Sequence, residues 1–261
     1  MKAWRIPGGG RDPIDAEGAL GEALWAAGAT AVMVDGDDLL GYFQQPSADL
    51  PLAGAWEGVD ERDHVTAYFE TLAAVDLGRL VLAPSHRELT VRAPQKVLWL
   101  DPGSAFGTGH HESTRLALRA LATLDLRGRR VLDVGFGSGV LAIAADLLGA
   151  GEAFGVDIDP LVLPVAEQNA AINASRAHFA LGDFAELAAG GPFDVLVANL
   201  YAELHTVFAD AYAARLLPGG ELILAGILAP RDQGLLELPG FELMSRSAEG
   251  EWVALHFRRG A

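Results

Sequence analysis

The chain has 261 residues, 51% hydrophobic and 21% charged, the balance of an ordinary globular protein rather than a disordered one. Its formal charge of −16 argues against a basic nucleic-acid footprint, and its lack of cysteine excludes disulfides, thiolate catalysis and cysteine-based zinc sites. It has no apolar run long enough to span a membrane and no apolar signal-peptide core near its first residues, so the expected compartment is the cytoplasm.

In chain order, Lys2 to Ile6 reads as a strand that stops at Pro7 and the run Gly8 to Gly10. Residues 14 to 27 place Ile14, Leu20, Leu24 and Trp25 at helical spacing, with Gly28 as the stop. Ala31 to Val34 and Leu39 to Phe43, joined through Asp35-Gly36, predict a hairpin. These elements make a small α+β domain over residues 1–54, or else a decoration on the main sheet. Its acidity stands out: residues 1 to 60 hold three basic and ten acidic side chains. Such a charge suits a basic protein partner, although solubility alone explains it equally well. Residues 55–78 are expected to be a linker, with Val65, Tyr68, Phe69 and Leu72 on one face of a connecting helix.

The pattern then changes. Leu80 to Leu82 and Val97 to Leu100 are short strands, and helix and strand signals alternate through residues 111–237. Helices are expected at 111–124, 139–149, 161–173, 184–189, 202–215 and, briefly, near 230–237. Strands are expected at 130–134, 153–157, 177–181, 193–198 and 221–226. This alternation predicts a doubly wound, mostly parallel sheet with helices on both faces over residues 79–261. Phe241 to Ser247 and Trp252 to Phe257 close it with an antiparallel hairpin, which separates the chain from most dinucleotide dehydrogenases.

Within this α/β region, Val131-Leu132-Asp133-Val134-Gly135-Phe136-Gly137-Ser138-Gly139 is a strand running into a glycine turn at a helix start. Asp157 follows twenty-two residues after Gly135, at the end of the next strand. The glycines let a ligand approach backbone amides at a helix N-terminus, and the acid reaches a pair of ribose hydroxyls. Gly-x-Gly-x-Gly preceded by Asp133 would repel a pyrophosphate but suits a ligand with an ammonium and a sulfonium, which is S-adenosylmethionine. Asp133 is then expected to face the amino group, with Gly135 and Gly137 receiving the methionine portion. A turn or helix-cap carboxylate is the plainer alternative for Asp133, and a solvated strand-end acid the plainer one for Asp157. Asp183 either accepts from the adenine amino group or caps the next helix. Leu181 and Phe184 either sandwich the adenine or belong to the core. Asn199-Leu200-Tyr201-Ala202 ends the apolar strand Val195 to Ala198, where doubly wound sheets place their ligands. The Asn199 side-chain oxygen and a backbone carbonyl can hold a neutral amine with its lone pair on the transferable methyl, unless Asn199 only caps the following helix.

With these residues in line the chain resembles class I S-adenosylmethionine methyltransferases. Asp101-Pro102-Gly103-Ser104-Ala105-Phe106-Gly107-Thr108-Gly109-His110-His111-Glu112-Ser113-Thr114 narrows the resemblance to the ribosomal protein L-eleven methyltransferase (PrmA) family. Gly155-Val156-Asp157-Ile158-Asp159-Pro160 and Gly226-Ile227-Leu228 fit as well. The resemblance implies a seven-stranded sheet, a small substrate-recognition domain, and a basic ribosomal protein as substrate without direct contact to nucleic acid or membrane. A monomer is expected. It places cofactor contacts on Thr114, Gly135, Asp157 and Asn199, with Phe106 in a loop over the site and Asn199-Leu200 at the acceptor. Ser113 and Phe136 depart from the family pattern, Phe136 at a position usually Cys or Thr. No metal is expected, since His110, His111 and Glu112 point to different faces. A methyltransferase of another protein or of a small-molecule amine, and a non-catalytic cofactor-binding module, are the competing readings.

Overall fold

In this computed structural model the described residues are 2–9, 19–29, 31–35, 37–43, 47, 50, 54–58, 73–85, 89–100, 111–184 and 191–260. The chain divides into two compact units, residues 1–68 and 69–261.

The first unit is a four-stranded antiparallel sheet, ordered β2-β3-β1-β4. Its strands are β1 (Lys2–Ile6), β2 (Ala31–Asp35), β3 (Asp38–Phe43) and β4 (Ala55–Gly58), with helix α1 (Ala19–Ala26) between β1 and β2. The expected strand and hairpin form, and Ile6, Leu24, Leu39 and Phe43 pack into one cluster. Arg5 fastens the sheet from its polar side through Asp38 (3.0 Å) and Glu57 (2.9 Å). Strand β4 lies in a segment expected to be linker. It pairs with β1, Trp4 opposite Trp56, and a partner some fifty residues away leaves no mark in local spacing. The expected connecting helix at 60–75 falls largely outside the described residues.

The second unit contains the doubly wound sheet, seven strands in the order β10-β9-β8-β11-β12-β14-β13. The strands are β8 (Arg130–Val134), β9 (Glu152–Asp157), β10 (His178–Leu181), β11 (Phe193–Asn199), β12 (Leu216–Leu228), β13 (Phe241–Glu249) and β14 (Trp252–Arg259). The β8–β12 pairings are parallel, and β14 and β13 join antiparallel. Helices α2 (Glu112–Thr123), α3 (Val140–Leu147), α4 (Leu163–Ile172) and α5 (Ala202–Arg215) connect or flank them. The expected helix near 230–237 is two short 3-10 turns, Ala229–Arg231 and Gln233–Leu235; Pro230 and Gly234 oppose a longer helix.

The period of two along each strand divides the apolar residues between two cores. Val131, Val195, Val197, Ile223 and Ala254 face α2 and α3. Leu132, Leu196, Ala198, Leu222, Leu224, Leu255 and Phe257 face the α5 side with Tyr212. Strands β5 (Val75–Asp76), β6 (Leu80–Pro84) and β7 (Lys96–Leu100) form a separate three-stranded sheet. Its Leu80, Leu82, Leu98 and Leu100 extend the first core. Asn173, just beyond α4, holds the edge of β7 by accepting from Trp99 N (2.8 Å) and donating to Trp99 O (2.6 Å). The carboxyl ends of β8, β9 and β11 thus open on one side, where the turn from β8 into α3 faces the end of β11.

Candidate active site

The cofactor side is built from one continuous stretch. Strand β8 breaks at Gly135, and Gly135, Gly137 and Gly139 have φ of 73°, 50° and 78°, values that favour glycine at each. Gly139 occupies the left-handed N-cap position of α3. The space it leaves is used closely, since a Cβ there would lie 2.7 Å from the Phe179 ring and 2.9 Å from Ala166. Asp157 at the end of β9 accepts from Gly137 N (2.9 Å) through Oδ2 and from Asp159 N (3.0 Å) through Oδ1. Each carboxylate oxygen keeps a second lone pair for a hydroxyl donor.

Asp133 behaves differently. It is fully buried, does not line the cavity, and accepts from Ala142 N in α3 (3.1 Å) through Oδ2. Its Oδ1 has no hydrogen-bond partner among the described residues. Burial pushes this carboxyl up to about 8; the Ala142 amide opposes the rise and the Asp157 charge adds to it. The structure thus places Asp133 in contact with α3, the geometry of the helix-cap alternative.

Phe136 has its place as well. Its ring packs on Phe179 with centroids 4.9 Å apart. Both crowd the position where a Cβ on Gly155 would stand, 2.8 Å from Phe179 and 2.9 Å from Phe136. The large residue fits because β9 carries glycine there.

The acceptor side is assembled from distant segments. Asn199 ends β11 and donates from Nδ2 to Thr114 Oγ1 in α2 (3.1 Å), which leaves Asn199 Oδ1 for a second partner. Leu200 N donates to Ala225 O of β12 (3.1 Å). Gly226 follows with φ of 81° at a register shift between Leu224 and Ile227. A Cβ on Gly226 would lie 2.4 Å from Leu200 O and 2.9 Å from Asn199 Oδ1. Two oxygens thus flank one small space that only glycine keeps open. The Leu200 side chain leans the other way, its Cδ2 lying 2.6 Å from where a Gly135 Cβ would be. The acceptor oxygens and the glycine turn therefore meet at Leu200.

Both sides line one cavity of about 530 Å³, in the range of small-molecule sites. Its walls include Thr114, Gly135, Gly137, Asp157, Asp183, Asn199, Leu200 and Gly226. Phe184 reaches the wall but packs mainly on Phe208 and Tyr212, and Leu181 is not part of the lining. Ile158, 75% exposed, supplies apolar surface beside Asp157 instead. Sequence reading missed Trp252, whose ring meets His111 edge-on at 4.6 Å in the cavity wall. Only the pairing of β14 beside β12 brings it there. His111 itself caps α2 by accepting from Ser113 N. Phe106 and the remainder of 101–110 lie outside the described residues.

The geometry agrees with the comparisons. The model of the family described as Ribosomal protein L11 methyltransferase (PrmA) matches residues 31–260. The chain belongs to that family. It is 47% identical to the ribosomal protein L11 methyltransferase of Thermus thermophilus, over 99% of this chain and 100% of that protein. It is 43% identical to that of Deinococcus radiodurans, over 99% of both. The crystal structure of a ribosomal protein L11 methylase from Lactobacillus delbrueckii subsp. bulgaricus superposes with a TM-score of 0.65 at 31% identity. That match covers 73% of this chain and all of the other. The chain is thus an S-adenosylmethionine-dependent protein methyltransferase. The residues present fit such a cofactor: the glycine turn would leave room for its methionine end, the Asp157 carboxylate could accept from ribose hydroxyls, and Ile158 and Val162 offer apolar surface to a base.

Proposed function

We propose that the protein methylates amino groups of ribosomal protein L11, on lysine side chains, the N-terminal amine or both. The observation that carries this reading is the pair of oxygens, Asn199 Oδ1 and Leu200 O, flanking the space beside Gly226. Two acceptors at one point suit the N–H groups of an amine and turn its lone pair toward the glycine turn. S-adenosylmethionine supplies a methyl already activated by a cationic sulfur, so the chain's own residues align and dry the reaction rather than protonate a leaving group. An alkylammonium with a pKa of ~10.4 in water must lose a proton first. The apolar wall of Val134, Leu200 and Phe208 disfavours the charged form and lowers that pKa. Asn199 cannot take the proton, and solvent is its destination.

In this reading Thr114 orients Asn199, Gly135 and Gly137 receive the methionine portion, Asp157 holds the ribose and Asp183 the adenine amino group. Asp133 secures the turn from beneath. The acidic first unit, residues 1–68 with β4 in its sheet, recognises the basic substrate, and the second unit, residues 69–261, is catalytic. The enzyme works in the cytoplasm as a monomer, with no direct contact to nucleic acid. Among the described residues no helix is long and apolar enough to cross a membrane.

The test is incubation of labelled cofactor with ribosomal proteins from a strain lacking this enzyme, read by mass spectrometry. Methyl groups on L11 amines are the expected result. Label on other proteins, with L11 untouched, would overturn the proposal.

A further inference from the structure

Beneath the acceptor oxygens lies a buried polar pair that the reaction itself does not touch. His205 and Tyr212 stand seven residues apart on one face of α5, both fully buried. His205 Nε2 lies 2.8 Å from Ala225 O, and Nδ1 lies 3.1 Å from Tyr212 Oη. A carbonyl only accepts, so Nε2 carries the proton and donates to it, and the Tyr212 hydroxyl donates to Nδ1. The tautomer is thereby fixed. Burial also pulls the imidazole down to about 4, so it stays neutral at physiological pH. Its two nitrogens are both engaged, and it does not line the cavity.

The carbonyl it holds is the pivotal one. Ala225 O takes two N–H donors, Leu200 N at 3.1 Å and His205 Nε2 at 2.8 Å. Directly after it the chain turns through Gly226, where the β12–β14 register shifts. Ala225 therefore ties together the backbone of Leu200, whose own carbonyl is one acceptor oxygen, and the glycine that keeps the acceptor space open. We propose that His205, braced by Tyr212, is a positioning residue for the acceptor oxygens Asn199 Oδ1 and Leu200 O. It sets where the amine sits and leaves the cofactor contacts on β8 and β9 unaffected. This rests on the amine-acceptor reading above and adds to it the device that aligns the acceptor.

The test uses the full-length protein, labelled S-adenosylmethionine and L11 from a strain lacking the enzyme. His205→Leu keeps a buried side chain but removes the donor, and His205→Gln returns an N–H at similar reach. The expected result for His205→Leu is a kcat about ten- to a hundredfold lower, the scale of a small misplacement of reacting groups. Its cofactor Kd stays within about twofold of wild type. His205→Gln recovers most of that loss. Tyr212→Phe, which frees the imidazole to rotate or change tautomer, loses kcat by less than His205→Leu at unchanged cofactor Kd.

A folded His205→Leu with wild-type kcat overturns the proposal. So does a His205→Gln no better than His205→Leu, or a parallel loss of cofactor affinity. If His205→Leu does not fold, Tyr212→Phe and His205→Gln decide, and normal kcat in both overturns it. A wild-type enzyme that leaves L11 unlabelled strikes the functional reading instead, which separates the two failures.

Discussion

The two halves of the cavity are made in different ways. The half proposed for the cofactor is one βαβ passage, from Asp133 to Asp157, in which strand, turn, helix and acid follow one another along the chain. The half proposed for the acceptor gathers Thr114 from α2, Asn199 from the end of β11 with Leu200 just beyond it, Gly226 from β12 and Trp252 from β14. A local passage can be recognised from spacing, because the turn between a strand and its own helix has few solutions. A gathered site is fixed by sheet pairing, here the register that sets Asn199 beside Ala225 and Val253 beside Ile227. The cofactor half is therefore held by neighbours in sequence and the acceptor half by neighbours in space, so single changes should damage them separately.

The largest separation is expected from Gly226→Ala. Its Cβ would meet the Leu200 carbonyl at 2.4 Å, and a positive φ of 81° adds strain for any L side chain. Methyl transfer should fall by about a hundredfold or more, while cofactor affinity, measured by calorimetry, stays close to wild type. If affinity collapsed alongside turnover, the two halves would not be independent.

A crossed pair sharpens the same contrast. Asp157→Asn removes the carboxylate charge proposed to hold the cofactor's ribose. It should weaken cofactor binding by about 2 kcal/mol, the scale of a hydrogen bond to a charged group, with a smaller change in kcat. Asn199→Ala should do the reverse, lowering kcat by roughly a hundredfold with little loss of cofactor affinity. Equal losses of both in the Asn199 variant would assign that side chain mainly to the cofactor.

The same division explains what was legible in the sequence. Thr114 came from the family resemblance, and the helix expected at 184–189 falls largely outside the described residues. The order of the other helices and strands from 111 onward, the closing hairpin, and the strand-end positions of Asp157 and Asn199 followed from period and punctuation. Strand β4, the separate β5-β6-β7 sheet, and the meeting of His111 with Trp252 did not, because each depends on a partner far along the chain. Phe136 looked misplaced as long as only its own turn was considered. Its room comes from Gly155 on the neighbouring strand and its contact from Phe179 on the next. Asp133 is ambiguous in the sequence for another reason. An acid two residues before a glycine turn can face either the ligand or the helix, and only burial distinguishes the two.

Asp133 gives the smallest expected effect on activity and the clearest test of that distinction. Its folded-state carboxyl is raised to about 8, from an unfolded value of 3.8. Between those values the folded protein keeps a proton that the unfolded chain has released. Unfolding then releases a proton, so stability falls as pH rises through this window and levels off above it. Asp133→Asn has no such titration, yet its side-chain oxygen can still accept from Ala142 N, and its amide takes the place of the protonated oxygen. Denaturant melts at pH 5, 6, 7 and 8 should show the variant gaining on the wild type by roughly 1 kcal/mol per pH unit. Its cofactor Kd should move by less than that of Asp157→Asn, because the carboxyl faces α3 and not the cavity. Parallel stability curves, or a loss of cofactor affinity as large as that of Asp157→Asn, would return Asp133 to the ligand side of the turn.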